Sequence, residues 1–211
     1  MKILITFLLL FTSISANGQF KKVIFTIDGG LGTGWWIQES DYKIQDATIT
    51  DWANSRLSLD AEFSSTIQYN LKNKFHAGLG YTYHTLMAQN LYASSPFIPS
   101  RTKTQVSESS VNFHQYYVTL GVPILQKSRV QLIPNINVGS FSFESLHPDD
   151  YFFTRPLLLE AKLKMLFPSK QSIHPYIEMY YSNLSFKSNV SFVYKRVHHV
   201  QSVGTKIGIA F

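Results

Sequence analysis

The last nine residues, Val203-Gly-Thr-Lys-Ile-Gly-Ile-Ala-Phe211, alternate with a period of two. Val203, Thr205, Ile207, Ile209 and Phe211 share one face of an extended strand; Gly204, Lys206, Gly208 and Ala210 share the other. Large apolar residues on one side, glycine and lysine on the other, and an aromatic at the end invert the pattern of a water-soluble sheet. The apolar side suits hydrocarbon, and the small or polar side suits a crowded interior. A chain that keeps this alternation in many segments is confined to closed barrels, because lipid cannot satisfy an open sheet edge.

Eight stretches show this alternation. They run near Phe20–Trp36, Leu57–Leu71, Phe75–Leu86, Val111–Leu125, Val130–Phe143, Leu157–Phe167, Tyr176–Ser185 and from about Val197 to the terminus. Leu57–Leu71 sets Leu57, Leu59, Ala61, Phe63, Ile67 and Tyr69 outward against Ser58, Asp60, Glu62, Ser64, Thr66, Gln68 and Asn70. The fourth stretch changes phase around His114–Tyr116, which predicts a bulge there. Pro123 and Pro134 fall inside strands, where a missing N–H is normally unwelcome.

Short polar turns at Lys72-Asn73-Lys74, Gln126-Lys127-Ser128 and Pro168–His174 alternate with longer, less patterned segments at 38–56, 88–110, 144–155 and 183–196. The expected fold is all-β: an eight-stranded, antiparallel, up-and-down transmembrane β-barrel with both termini on the short-turn side. A soluble β-sandwich is the alternative; it would put Asp60, Glu62, Glu160, Lys162, Lys164, Glu178 and Lys206 on a water-facing surface.

The N-terminus carries an export pattern. Lys2 precedes an apolar run from Ile3 to Phe11, and small residues follow at Ala16-Asn17-Gly18. That run is too short for a transmembrane helix, which needs ~20 residues, and it fits a cleavable signal. Residues 1–18 are therefore expected to be a signal peptide and 19–211 the barrel domain, destined for the outer membrane of a Gram-negative bacterium. The chain has no cysteine, so neither a lipid-anchoring cysteine nor a disulfide is available. Sixteen Phe, 12 Tyr and 3 Trp suit rings lining two membrane interfaces. A net charge of +6 is too small an excess to argue for nucleic acid, which an exported protein would not meet.

Tyr117-Val-Thr-Leu-Gly-Val-Pro-Ile-Leu125 with Lys127, Leu132-Ile-Pro-Asn-Ile-Asn-Val-Gly139 and the terminal Phe211 resemble the small outer-membrane barrels of the OmpA/OmpX type. Within these, the likeness is to the outer-membrane β-barrel family of Bacteroidota often labelled PorT-like. It covers about 19–211, and its motifs are architectural. The resemblance implies insertion by a barrel-assembly machine that reads the last strand, with Ile207, Ile209 and Phe211 as the assembly signal. The usual pattern has a glycine five residues before the terminal aromatic; here Lys206 stands there, with glycines at 204 and 208.

Candidate sites were weighed residue by residue. Asp28-Gly-Gly-Leu-Gly-Thr-Gly34 has the glycines of a phosphate loop, but Trp35-Trp36 follow where a helix and a lysine are needed, so it reads as strand. The inward charges Asp28, Asp60, Glu62, Glu160, Lys162, Lys164, Glu178 and Lys206 are expected to form a salt-bridged network, because an eight-stranded barrel is just wide enough to be filled by side chains. A proton or ion pathway is the sharper alternative.

His198 and His199 point to opposite faces, His76 and His84 lie far apart along one strand, and nothing has zinc spacing, so neither a metal nor another cofactor is expected. No His-x-Ser, the motif of the outer-membrane lipid A deacylases, occurs, and His199 with Ser202 would need broken alternation to form a dyad. Catalysis is therefore not expected. Trp35, Trp36 and Trp52 are assigned to the outer aromatic girdle, and Lys72, Lys74, Lys127, Arg129 and Lys170 to a basic periplasmic rim facing phospholipid headgroups.

The resulting expectation is a structural or partner-binding protein, an accessory subunit of an envelope assembly. Its partners would be outer-membrane lipid, the assembly machinery during insertion, and an envelope protein through loops 38–56, 88–110, 144–155 and 183–196, with no nucleic acid. An enzyme acting on envelope lipid is the alternative, followed by a small-solute channel.

Overall fold

The computed structural model describes residues 23–44, 47–71, 74–94, 109–127, 129–144, 152–170, 172–190 and 193–211. The expected signal peptide, residues 1–18, lies outside the described residues. Nine strand segments follow one another: β1 (Val23–Ile44), β2 (Ala47–Leu71), β3 (Phe75–Ser94), β4 (Ser109–Gly121), β5 (Leu125–Gln126), β6 (Gln131–Phe143), β7 (Phe152–Leu166), β8 (His174–Val190) and β9 (Val193–Ala210). Sequential neighbours pair antiparallel, β1 pairs with β9, and both β4 and β5 pair with β6. β4 and β5 are thus two parts of one stave, and the sheet closes into an eight-stave antiparallel barrel.

The first and last strands meet at the seam. Phe211 N donates to Phe25 O at 2.9 Å and Phe25 N donates to Phe211 O at 3.3 Å. The short turns lie at this same end of the barrel. Outward positions on every stave are apolar and exposed, with Ile207 at 72% and Leu79 at 67%. Leu31, Phe63, Val118, Ile136, Leu159 and Met179 continue this band around the barrel.

Four sequence expectations change. First, the segments 38–56 and 183–196 are not loops: β1 and β2 continue to Ile44 and from Ala47, and β8 and β9 continue to Val190 and from Val193. Segment 88–110 is likewise entered by β3 as far as Ser94 and left by β4 from Ser109, and β7 already begins at Phe152 within 144–155. A crossing takes ~9–11 residues. β2 alone has 25 and extends roughly 80 Å at ~3.3 Å per residue. Beyond the bilayer neither face must be apolar, so the sequence contrast fades while backbone pairing goes on.

Second, no bulge occurs at His114–Tyr116. The β3–β4 register runs unbroken from Met87↔Ser110 through Tyr81↔Tyr116 to His76↔Gly121. The apparent phase change arises because rings occupy both faces: Phe113 and Tyr117 point in, and Tyr116 points out. Third, the irregularities fall elsewhere: between Gly32 and Gly34 on β1, between Leu57 and Leu59 and between Ser55 and Arg56 on β2, between Thr154 and Leu157 on β7, and between Ser188 and Val190 on β8. The second of these turns Leu57 inward, where it is fully buried.

Fourth, the interior is not polar throughout. Leu57, Leu86, Phe113, Tyr117, Phe141, Leu158, Leu184, Phe186 and Val200 form one buried cluster, joined by Trp36 and Phe143. It fills the half of the lumen away from the short turns; the charged residues fill the middle, and a second small cluster of Leu166, Tyr176 and Ala210, with Ile24 against it, lies at the short-turn end.

Pro123 is tolerated for a local reason. It lies past the last β3–β4 pair, His76↔Gly121, so its missing N–H breaks no ladder bond. Its neighbours still pair with β6: Val122 N donates to Pro134 O at 3.0 Å and Ile124 N to Leu132 O at 2.9 Å.

Candidate functional site

The charged tier is built by register. Gly30 on β1 stands opposite Glu62 on β2 and opposite Lys206 on β9. A methyl group on Gly30 would lie 2.7 Å from Lys206 Cγ, so the glycine leaves the groove through which the lysine stem crosses β1 to reach Glu62. Lys206 Nζ, fully buried, donates to Glu62 Oε2 and to Ser64 Oγ at 3.2 Å. Glu160 Oε1 at 3.7 Å and Asp28 Oδ1 at 4.0 Å complete its anionic surroundings.

Two further groups extend from this centre. On β7 and β8, Lys162 Nζ bridges Glu160 Oε2 and Glu178 Oε1, both at 3.2 Å, and Asn137 Nδ2 donates to Glu160 Oε2 at 2.6 Å. Lys164 Nζ lies 3.6 Å from Glu178 Oε2 and 4.3 Å from the centre of the Tyr176 ring. On β2 and β3, His84 Nδ1 donates to Asp60 Oδ1 at 2.9 Å, and its Nε2 is 3.5 Å from Glu62 Oε2. All eight sequence-singled charges therefore lie in one buried network, with His84 as a ninth member.

Tyrosines complete the acceptors. Tyr176 Oη donates to Asp28 Oδ2 at 2.6 Å, and Tyr180 Oη donates to Asp60 Oδ2 at 3.2 Å. Tyr180 fits because Gly32 and Gly204 face each other across the β1–β9 seam. A methyl group on either would sit within 2.6 Å of the phenol oxygen. The glycines that looked like a phosphate loop are slots for a stem and a ring.

Asp60, Glu62 and His84 are the trio among the described residues with metal-ligand chemistry, their ligand atoms lying within 4.8 Å of one another. Lys206 already occupies the cationic position beside Glu62, and the His84 ring is committed between the two carboxylates and stacked on Phe113 at 4.6 Å. The arrangement reads as an ion network stitched to the aromatic tier.

The aromatic tier departs from the expected polar interior, although its signal is present in the sequence. Phe141 shares the phase of Asn135 and Asn137, and Phe186 shares that of Glu178, Tyr180 and Ser182. Counting by two from the inward polar residues reaches both. Trp36, assigned above to the outer girdle, instead packs edge-on against Phe186 at 6.0 Å and donates its Nε1–H to His198 Nδ1 at 3.1 Å. Trp35 is outward and exposed, and the side chain of Trp52 lies outside the described residues.

His199 and Ser202 form no dyad: Ser202 Oγ pairs with Ser182 Oγ at 3.2 Å, inside the barrel. His199 Nδ1 instead pairs with Ser185 Oγ at 2.9 Å on the outward face, a cross-strand partnership that only the β8–β9 register brings about. Lys74, Lys127, Arg129 and Lys170 are exposed at the short-turn end, and Lys72 lies outside the described residues. Ile207, Ile209 and Phe211 are outward on the seam strand.

No protein-family model matches the chain, and no curated protein matches it. Solved structures do. The outer membrane protein OprG from Pseudomonas aeruginosa aligns with a TM-score of 0.60 at 13% identity, over 90% of this chain and 96% of that one. The outer membrane protease OmpT from Escherichia coli aligns at 0.47 and 10% identity, over 92% and 97% of the two chains. Ail, the attachment invasion locus protein of Yersinia pestis, aligns at 0.34 and 15% identity, over 90% and 99%. At such identities the likeness is one of fold, and the fold is that of the small outer-membrane β-barrels.

Proposed function

We propose that this chain is an integral outer-membrane protein of a Gram-negative envelope that works by contact, as an accessory subunit of a larger envelope assembly, and that it belongs with the PorT-like barrels of Bacteroidota. The observation that carries this reading is the filled lumen. An ion network occupies the middle, an aromatic cluster the half away from the short turns and a smaller apolar cluster the short-turn end, while the strands continue far past the membrane as paired arms. Rigid arms on a sealed barrel offer surface, and surface binds partners. Lipid is the medium of the apolar band, and the basic rim at the short turns suits anionic headgroups.

Mild detergent extraction followed by mass spectrometry tests the reading. Stoichiometric envelope proteins should accompany the barrel, and shortening the β1–β2 arm should release them while leaving the barrel folded. Recovery of the barrel alone, at native expression and under several detergents, would refute it.

A second reading has one specific observation behind it. The Ser185–His199 hydrogen bond on the outward face is a nucleophile–base pairing that an enzyme acting on envelope lipid would use. Ser185→Ala decides between the two: an altered acyl pattern of the envelope lipids would favour the enzyme, and an unchanged pattern the contact protein. A small-solute channel, the third reading, would show as steady conductance steps in planar bilayers.

A further inference from the structure

The charged tier borders a cavity of about 10 Å³, lined among others by Asp28, Asn135, Asn137, Lys162, Lys164 and Glu178. It has room for one water molecule. Four of the residues that line it carry an oxygen with no hydrogen-bond partner in the chain, Asp28 Oδ1, Asn135 Oδ1, Asn137 Oδ1 and Glu178 Oε1, of which Glu178 Oε1 is ion-paired to Lys162 Nζ at 3.2 Å. Their residues are no more than 4% exposed, so bulk water does not serve them. The two amides cannot escape by flipping. Asn135 Nδ2 already donates to Ile133 O at 2.9 Å and Asn137 Nδ2 to Glu160 Oε2 at 2.6 Å. Turning either round would set an oxygen against an oxygen.

Lys164 presents the opposite deficit. Its ammonium carries three N–H donors, while its carboxylate partner, Glu178 Oε2, is 3.6 Å away and the face of Tyr176 lies 4.3 Å from it. It is 6% exposed. Acceptors without donors thus share one small space with an ammonium whose ion pair is long.

We infer that this cavity binds one ordered water molecule, which accepts a hydrogen bond from Lys164 Nζ and donates to two of Asp28 Oδ1, Asn135 Oδ1 and Asn137 Oδ1. The chemistry of the walls selects water over an ion. A cation would face two ammonium groups, Lys162 and Lys164; an anion would face the orphan oxygens and the Glu178 carboxylate. A neutral molecule that donates and accepts serves both sides at once. The water also gives Lys164 the hydration that its long ion pair does not, and so joins the β7–β8 charges to Asp28 on β1.

A crystal structure of the full chain near 1.8 Å resolution, with wild-type crystals also soaked in bromide and in rubidium salts, tests the assignment. The expected result is a single density peak within roughly 3.2 Å of Lys164 Nζ and of at least two of the three oxygens, with no anomalous signal from either soak. Lys164→Met should lose or displace that peak. A dry cavity, an anomalous bromide or rubidium peak within it, or a Lys164 ammonium seated directly on the orphan oxygens would each overturn the inference. The soaks decide the occupant even if the variant fails to fold.

Discussion

Lys206→Met is the sharpest test of the ion network. The substitution keeps an unbranched stem in the groove left by Gly30 and removes only the charge. Among the described residues the lumen holds five buried carboxylates, Asp28, Asp60, Glu62, Glu160 and Glu178, against three lysines. Lys206 is the one that touches three of the five, through Glu62 Oε2, Glu160 Oε1 at 3.7 Å and Asp28 Oδ1 at 4.0 Å. Removing one partner of a buried pair costs ~3–5 kcal/mol, because the remaining charge stays desolvated. No exposed position is available to Glu62, so the expected loss lies within that range. Adding Glu62→Gln should recover ~1–3 kcal/mol of it, since the two groups are coupled. Reversible urea unfolding in lipid vesicles, followed by gel mobility before and after boiling, gives all four corners of the double-mutant cycle. A cost for Lys206→Met below about 1 kcal/mol, or strict additivity with Glu62→Gln, would refute the argument that the network is a set of mutually dependent charges.

Three other outcomes follow from the same structure. Leu163→Arg, outward on β7, should cost ~2–4 kcal/mol at mid-membrane in the same unfolding assay, whereas a soluble barrel would lose little. Phe186→Ala should cost ~3–5 kcal/mol. It should also red-shift tryptophan emission, because Trp36 packs against that ring at 6.0 Å. Gln115 is fully buried with neither end of its amide paired. Gln115→Leu should therefore raise stability by ~1–2 kcal/mol, and a fall in stability would contradict the unpaired amide.

Most of the barrel is legible by counting in twos. Asp60, Glu62, Glu160, Lys162, Lys164, Glu178 and Lys206 point inward because alternation relative to Phe63, Leu163, Met179 and Ile207 demands it. What alternation cannot supply is height and register. Nothing in the sequence says that Glu62 and Lys206 flank the same glycine, or that Ser185 lies opposite His199. Leu57 eluded the count because a bulge shifts the phase of one residue, and Trp36 because rings suit both a girdle and a plug. The arms eluded it because hydrogen bonding holds a strand together after the apolar contrast has gone. Phe141 and Phe186 could have been found, had inward phase been trusted over the expectation of a polar lumen.

The placement of the ion pairs bears on how the barrel shuts. Lys206 reaches Glu62 across a sequence separation of 144, and Tyr176 reaches Asp28 across 148. Both contacts span the β1–β9 seam, the last pairing that a sequentially assembled chain can make. Until the seam forms, Glu62 lacks Lys206 and Asp28 lacks Tyr176, although the β7–β8 and β2–β3 pairs can already be made. Such a half-built sheet gains nothing by lingering in hydrocarbon, so zipping the ladder and completing the network become one event. The network thus works as a latch, because its Lys206–Glu62 and Tyr176–Asp28 contacts exist only when the first and last strands are paired.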